Sequence, residues 1–89
     1  MRTKKGYVLR TLGNEYILVA EGLEATGNSV MISLNESAAM LWKSVDGKEF
    51  DADTLAGLLM DEYGITREMA EKDVAPLLET WKKSGAITD

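Results

Sequence analysis

The chain has 89 residues, of which 45% are hydrophobic and 28% are charged, and it contains no histidine and no cysteine. This length suits one small globular domain over residues 1–89 with a single core. The chain lacks the usual base near neutral pH, a thiolate nucleophile and the common zinc ligands, so hydrolytic, redox and zinc functions are not indicated and no cofactor is expected. No apolar run approaches the length of a membrane span, and we expect a soluble, cytoplasmic protein without a membrane partner.

Charge is distributed unevenly along the chain. Four of the ten basic residues lie in the first ten positions, where no acid occurs, whereas residues 11–89 carry six basic and fifteen acidic side chains, a net charge of −9. Such an acidic surface repels a phosphate backbone, so nucleic acid is not an expected partner. Residues 1–6 are expected to be flexible, as segments at a chain end commonly are.

Three stretches have the composition and the pattern of β-strands. Residues 7–12 and 15–20 are rich in β-branched and aromatic side chains and flank Gly13-Asn14, which is typical of a two-residue hairpin. In residues 30–34 apolar side chains alternate with Met31 and Ser33, as in a strand with one buried face. The order predicts a three-stranded antiparallel meander whose third strand has a free edge.

Three helices are predicted after the strands. Asn35 is a suitable N-cap for the first helix, and Asp51 or Asp53 can cap the second. The third helix follows the cap residue Thr66 and covers residues 67–83. The predicted fold class is therefore α+β, a three-stranded antiparallel meander followed by a three-helix bundle like that of winged-helix proteins.

Pro76 is the irregular feature of the third helix. Proline inside a helix removes the hydrogen bond to the carbonyl four residues earlier, here that of Lys72, and clashes with it at a cost of about 3 kcal/mol. We therefore predict a kink or a restart of the helix near residues 72–76.

At the level of individual residues, the chain resembles a known family. The matching segments, spread over about residues 7–88, are Ser33-Leu34-Asn35-Glu36-Ser37-Ala38, Leu41-Trp42, Asp46-Gly47, Leu59, Glu62-Tyr63, Asp73-Val74, Leu77-Leu78 and Ser84-Gly85. They are similar to the coenzyme PQQ synthesis protein D family. The resemblance implies a peptide chaperone, not an enzyme. Such a protein captures the leader segment of a ribosomally made precursor peptide as an extra strand and delivers it to a modifying enzyme, such as a radical S-adenosylmethionine enzyme.

The resemblance also implies where the peptide binds, in a cleft between the third strand and the third helix. The strand edge would supply backbone hydrogen bonds, and pockets for side chains would give specificity. The expected peptide-binding residues are Val30, Met31, Ile32, Ser33, Val74, Leu77, Leu78 and Trp81. If the added strand pairs through the amide of Ile32, proline at that position is expected to abolish binding.

Two other functions fit parts of the pattern. A winged-helix DNA-binding protein would share the topology, but residues 67–83 carry four basic and four acidic side chains where a basic stripe is needed. A structural subunit would use the same strand edge to form a homodimer. The pair Asp61-Glu62 is better explained as solvated surface than as catalytic carboxylates, and Trp42 is better explained as a core residue than as a partner contact.

Overall fold

The computed structural model describes residues 1–20 and 31–88. In chain order its elements are β1 (Arg2–Thr3), β2 (Tyr7–Leu12), β3 (Glu15–Ala20), β4 (Met31–Leu34), α1 (Glu36–Val45), α2 (Ala52–Tyr63), α3 (Arg67–Ser84) and β5 (Ile87–Thr88). Strands β2, β3 and β4 form one antiparallel sheet that the three helices follow, so the predicted α+β class and the meander are confirmed. No helix in this part of the chain combines the length and the apolar character that crossing a membrane requires.

The sheet grows from the hairpin at Gly13-Asn14. Gly13 has a φ of 62°, and no non-glycine residue in the described ranges has a positive φ. A positive φ at the first turn position alone is typical of a type II′ turn, whose twist matches that of the flanking strands. Antiparallel pairing then starts with Leu12 opposite Glu15 and continues along both strands.

Strand β4 is at the edge of this sheet. It pairs with β3, with Leu34 opposite Tyr16 and Met31 opposite Val19, and the strand order is β2-β3-β4. Within residues 1–20 and 31–88, no strand pairs with the other side of β4. Val30, predicted as the first residue of this strand, lies outside the described residues. The predicted free edge is therefore present along Met31–Leu34.

The inner face of the sheet packs on the helices around two tryptophans. Trp42 of α1 and Trp81 of α3 are 1% and 0% exposed, and their rings meet edge to face with centroids 5.1 Å apart at an angle of 87°. Leu18 of β3 and Leu55 of α2 are fully buried in the same cluster. The sheet and the three helices therefore share one core, and the prediction that Trp42 is a core residue is confirmed.

Side-chain caps fix the start of each helix. The Asn35 side-chain oxygen accepts a hydrogen bond from the Ala38 amide at 2.8 Å, and Thr66 caps α3 in the same way. At α2 the cap is Asp51, whose carboxylate accepts a hydrogen bond from the Thr54 amide at 2.8 Å. These bonds satisfy first-turn N–H groups that have no partner within the helix. The predicted caps are confirmed, with Asp51 chosen for α2.

Helix α3 continues through Pro76 without interruption. Of the kink or restart predicted near residues 72–76, the restart is therefore wrong, and the kink stays a prediction. Pro76 lies on an exposed face of the helix, whereas Val74 and Leu78 on the opposite face are buried. Packing of that buried face stabilises the helix on both sides of the proline, because most helical stability in proteins comes from tertiary packing.

A second, two-stranded sheet brings β1 and β5 together. The strands are antiparallel, with Arg2 opposite Thr88 and Thr3 opposite Ile87, and the Thr3 hydroxyl donates a hydrogen bond to Asp46 at 3.0 Å. The sequence did not indicate this sheet, because two residues are too few to show the alternation of a strand. Residues 1–6, which we expected to be flexible, thus include one strand of a sheet.

Candidate functional site

The direction of the backbone groups along β4 follows from the hairpin. In an antiparallel pair of strands, opposed residues alternate between hydrogen-bonded and non-hydrogen-bonded pairs. Leu12 and Glu15 flank the two-residue turn and form its closing hydrogen-bonded pair. Glu15 and Ile17 therefore direct their backbone N–H and C=O groups toward β2, and Tyr16 and Leu18 direct theirs toward β4.

Met31 and Ser33 present their backbone groups to the open edge. Leu34 and Ile32 lie opposite the two β3 residues that bond toward β4, so their own N–H and C=O groups are used within the sheet. The alternation leaves the N–H and C=O groups of Met31 and Ser33 pointing away from β3. Proline at Ile32 would remove a hydrogen bond within the sheet itself. The substitution that tests strand addition is therefore proline at Ser33 and not, as predicted, proline at Ile32.

The side chains of β4 alternate between the two faces of the sheet. Met31 is 61% exposed and Ser33 is also exposed, whereas Ile32 is half-buried and Leu34 is buried against the core. A further strand on this edge would align some of its side chains with Ile32 and Leu34 on the inner face. Asn35, the residue that follows β4, lines two cavities among the helices.

The first cavity lies between the start of α1 and the middle of α3 and has a volume of about 390 Å³. It begins at Asn35, the residue that follows β4, and Leu59 of α2 also lines it. The complete lining is Asn35, Ser37, Ala38, Leu41, Leu59, Asp73, Pro76, Leu77 and Thr80.

A second cavity, of about 380 Å³, extends the first toward the connection between α2 and α3. Four residues line both cavities, namely Asn35, Ser37, Leu59 and Asp73. The second cavity adds Glu36, Tyr63 and Ile65. We refer to the two cavities together as the α1–α3 groove, which begins where β4 ends.

Of the four α3 residues predicted to bind a peptide, Leu77 lines the groove and is half-buried. Val74, Leu78 and Trp81 are 2%, 9% and 0% exposed, and all three belong to the core. These three side chains therefore pack in the core beneath the groove and do not line it.

The sequence analysis did not identify a second stripe of α3, which lines the groove. Asp73, Pro76, Leu77 and Thr80 recur at i, i+3, i+4 and i+7, and all four line the first cavity. A search for apolar residues at helical spacing finds the buried stripe instead, because that stripe is the more uniformly apolar one. The helical spacing of the mixed stripe indicates that its four residues share one face of α3, and the structure shows that this face borders a cavity.

The α1–α3 groove is acidic. Glu36 and Asp73 line it, and no lysine or arginine is among its lining residues. Partial loss of solvent raises the pKa of the Tyr63 hydroxyl, and the negative charges of Glu36 and Glu62 raise this pKa further. Glu62 thus adds to the negative potential at the end of the groove where Tyr63 lies.

The basic residues of α3 are mostly paired within the helix. Arg67 lies 3.9 Å from Glu71, Lys72 lies 3.9 Å from Glu68, and Lys83 lies 3.1 Å from Glu79. All six side chains are on the surface, where such pairs neutralise charge locally. Helix α3 therefore lacks the basic stripe that a DNA-recognition helix needs.

Comparisons with known proteins give a family and a fold. A model of the coenzyme PQQ synthesis protein D family matches residues 15–87. Among solved structures, the chain is similar to TbiB1 in complex with the TbiA(beta) leader peptide, with a TM-score of 0.72, 17% sequence identity and 100% of each chain covered. It is also similar to lasso peptide synthetase B1 complexed with the leader peptide, with a TM-score of 0.70, 24% identity, and 99% of this chain and 96% of that chain covered. A comparison with curated proteins finds no match.

Proposed function

The chain belongs to the coenzyme PQQ synthesis protein D family, and we propose that it binds the leader segment of a ribosomally made precursor peptide as an additional strand on β4. The observation that carries the proposal is the open edge of β4, where Met31 and Ser33 direct outward backbone groups that no strand among residues 1–20 and 31–88 pairs with. The two similar solved structures, which share the fold, are both complexes with a leader peptide.

In this proposal, affinity and specificity come from different parts of the site. The backbone groups of Met31 and Ser33 pair with the leader, and these bonds are independent of the leader's sequence. Leader side chains on the inner face lie against Ile32 and then enter the α1–α3 groove, where Leu77 is the apolar contact on α3. Val74, Leu78 and Trp81 hold α3 in place and do not touch the leader.

The role of the bound chain is to present the leader to a second protein. We propose that this partner is a peptide-modifying enzyme of the radical S-adenosylmethionine type. Binding and presentation need no catalytic group in this chain. Pairing with a second copy of the chain at the same edge would compete with the leader, so a homodimer formed through β4 would dissociate when the leader binds.

Titration calorimetry with the synthetic leader of the precursor peptide encoded beside the gene tests the proposal. Ser33→Pro removes an outward N–H group without removing a hydrogen bond from the sheet, and we expect about tenfold weaker binding or more. Ser33→Ala is the matched control, because it removes the hydroxyl and keeps the amide, and it should bind like the wild type.

The circular dichroism spectrum and the urea midpoint of both variants establish that the fold is intact. Equal affinity of a folded Ser33→Pro variant and the wild type would reject strand addition at β4. Weak binding by both Ser33 variants would instead assign the effect to the side chain, which also contradicts the proposal.

A further inference from the structure

The α1–α3 groove has an apolar hollow at the end that lies beyond β4. Leu59 forms part of its base and is 3% exposed, Ile65 is half-buried, and Tyr63 is 45% exposed at its rim. The cavity that these side chains line has a volume of about 380 Å³, which leaves room for one apolar side chain from a partner. The hollow is continuous with the cavity that begins at Asn35, so a strand paired with β4 and extended past Leu34 reaches it.

Two carboxylates line this hollow. Glu36 lies on the α1 side and Asp73 on the α3 side, and neither carboxylate has a lysine or arginine within ion-pair distance in residues 1–20 and 31–88. This side of the groove therefore offers negative charge and lone pairs to a ligand.

From this arrangement we propose that the bound leader carries an apolar side chain for the hollow of Leu59, Tyr63 and Ile65, with a lysine or arginine next to it that pairs with Glu36 and Asp73. The inference rests on the proposed function and specifies the kind of leader that the site selects. Both carboxylates line the second cavity, so an ammonium or guanidinium group there has them as partners, and its aliphatic stem covers the rim of the hollow.

One feature of the same region favours the opposite charge. The N-terminus of α1 borders the groove, and helix N-termini attract anions. Here the Asn35 side chain already accepts the Ala38 amide, and Glu36 places its own carboxylate in the first turn. Glu36 and Lys43 both line a further cavity beside Tyr16. The Lys43 ammonium lies over the Tyr16 ring, 5.6 Å from its centroid, and makes no ion pair within the described chain. The net charge that a ligand meets is therefore negative.

Selection of peptides from a random 12-residue phage library on the immobilised full chain tests this specificity. We expect the selected peptides to carry lysine or arginine beside an apolar residue. In the tightest peptide, lysine changed to glutamine should weaken binding about two- to fivefold, as for a solvent-exposed ion pair, and glutamate should weaken it more. The loss should shrink as salt is added.

Protein variants locate the effect in the groove. Glu36→Gln and Asp73→Asn should each reduce the lysine preference of the chain by a similar factor. Asp61→Asn removes the same charge from an exposed residue of α2 outside the groove and should leave the preference unchanged.

Three outcomes would overturn the inference, and they are distinguishable. If the selected peptides lose affinity with Ser33→Pro but show no preference for a basic residue, strand addition stands and the charge specificity is wrong. Tighter binding of the glutamate peptide would likewise reject it and assign selection to the N-terminus of α1. If the peptides bind Ser33→Pro as tightly as the wild type, the proposed function fails as well.

Discussion

A shift of one residue along β4 reverses the direction of the backbone amide. Ile32 bonds into the sheet, whereas Met31 and Ser33 face the open edge. Alternating hydrophobicity predicts which side chains are buried, but the bonding direction depends on the hairpin register. It also depends on the pairing of β4 with β3, and only the structure shows that Leu34 lies opposite Tyr16. The backbone amide whose removal tests strand addition is therefore that of Ser33 and not that of Ile32.

The Asp51 carboxylate gives a pH prediction. The backbone amide of Thr54 donates to it and holds the pKa of Asp51 below the ordinary value of 3.8. Because the pKa is lower in the folded chain, the stabilisation is present above about pH 3.8 and is lost as the pH falls through the folded value. Asp51→Asn keeps an oxygen acceptor and removes the titration, so its loss of stability on acidification should be shallower.

Urea unfolding of wild type and Asp51→Asn between about pH 2.5 and about pH 6 measures this difference. Asp61→Asn is the control, since it removes the same charge from an α2 residue that caps no helix. Parallel acid limbs for Asp51→Asn and the wild type would contradict the linkage.

Pro76 is the main feature at the scale of the helix. It interrupts the hydrogen-bond ladder of α3, yet the helix continues and the proline lines the first cavity. Pro76→Ala restores a donor for the Lys72 carbonyl, and we expect the free energy of unfolding to rise by up to about 3 kcal/mol. Leader affinity should fall, because the variant removes a rigid ring from the groove wall.

Urea denaturation and titration calorimetry on the same preparation measure both effects of Pro76→Ala. A lower free energy of unfolding in the variant would show that the helix is adapted to the ring. Higher stability with unchanged affinity would show that the proline is no part of the site.

Local signals account for most of what the sequence predicted about the elements. The hairpin, the three helices and their caps follow from turn residues, capping residues and short-range periodicity. The sheet of β1 and β5 does not, because it depends on contacts between distant segments, such as Thr3 with Asp46. For α3, periodicity identified the buried stripe but could not show that the neighbouring stripe with Asp73 and Thr80 lines a cavity.

At the scale of the whole molecule, charge separates this chain from a DNA-binding winged helix. The net charge is −5, and the three ion pairs within α3 neutralise most of its basic residues. We therefore expect no binding to duplex DNA at physiological ionic strength.

Fluorescence anisotropy with a labelled random-sequence duplex measures this, and the labelled leader peptide under identical conditions is the positive control. Saturable duplex binding that weakens steeply with added salt would contradict the prediction and favour the DNA-binding alternative.

The direct test of strand addition is hydrogen exchange, measured by NMR on the free chain and on the chain saturated with the leader of the precursor encoded beside its gene. The amides of Met31 and Ser33 should exchange quickly in the free chain and about tenfold more slowly, or slower still, in the complex. The amide of Ile32 bonds within the sheet and should be protected in both. If Met31 and Ser33 exchange equally fast with and without saturating leader, the leader does not add to β4, and the account is contradicted.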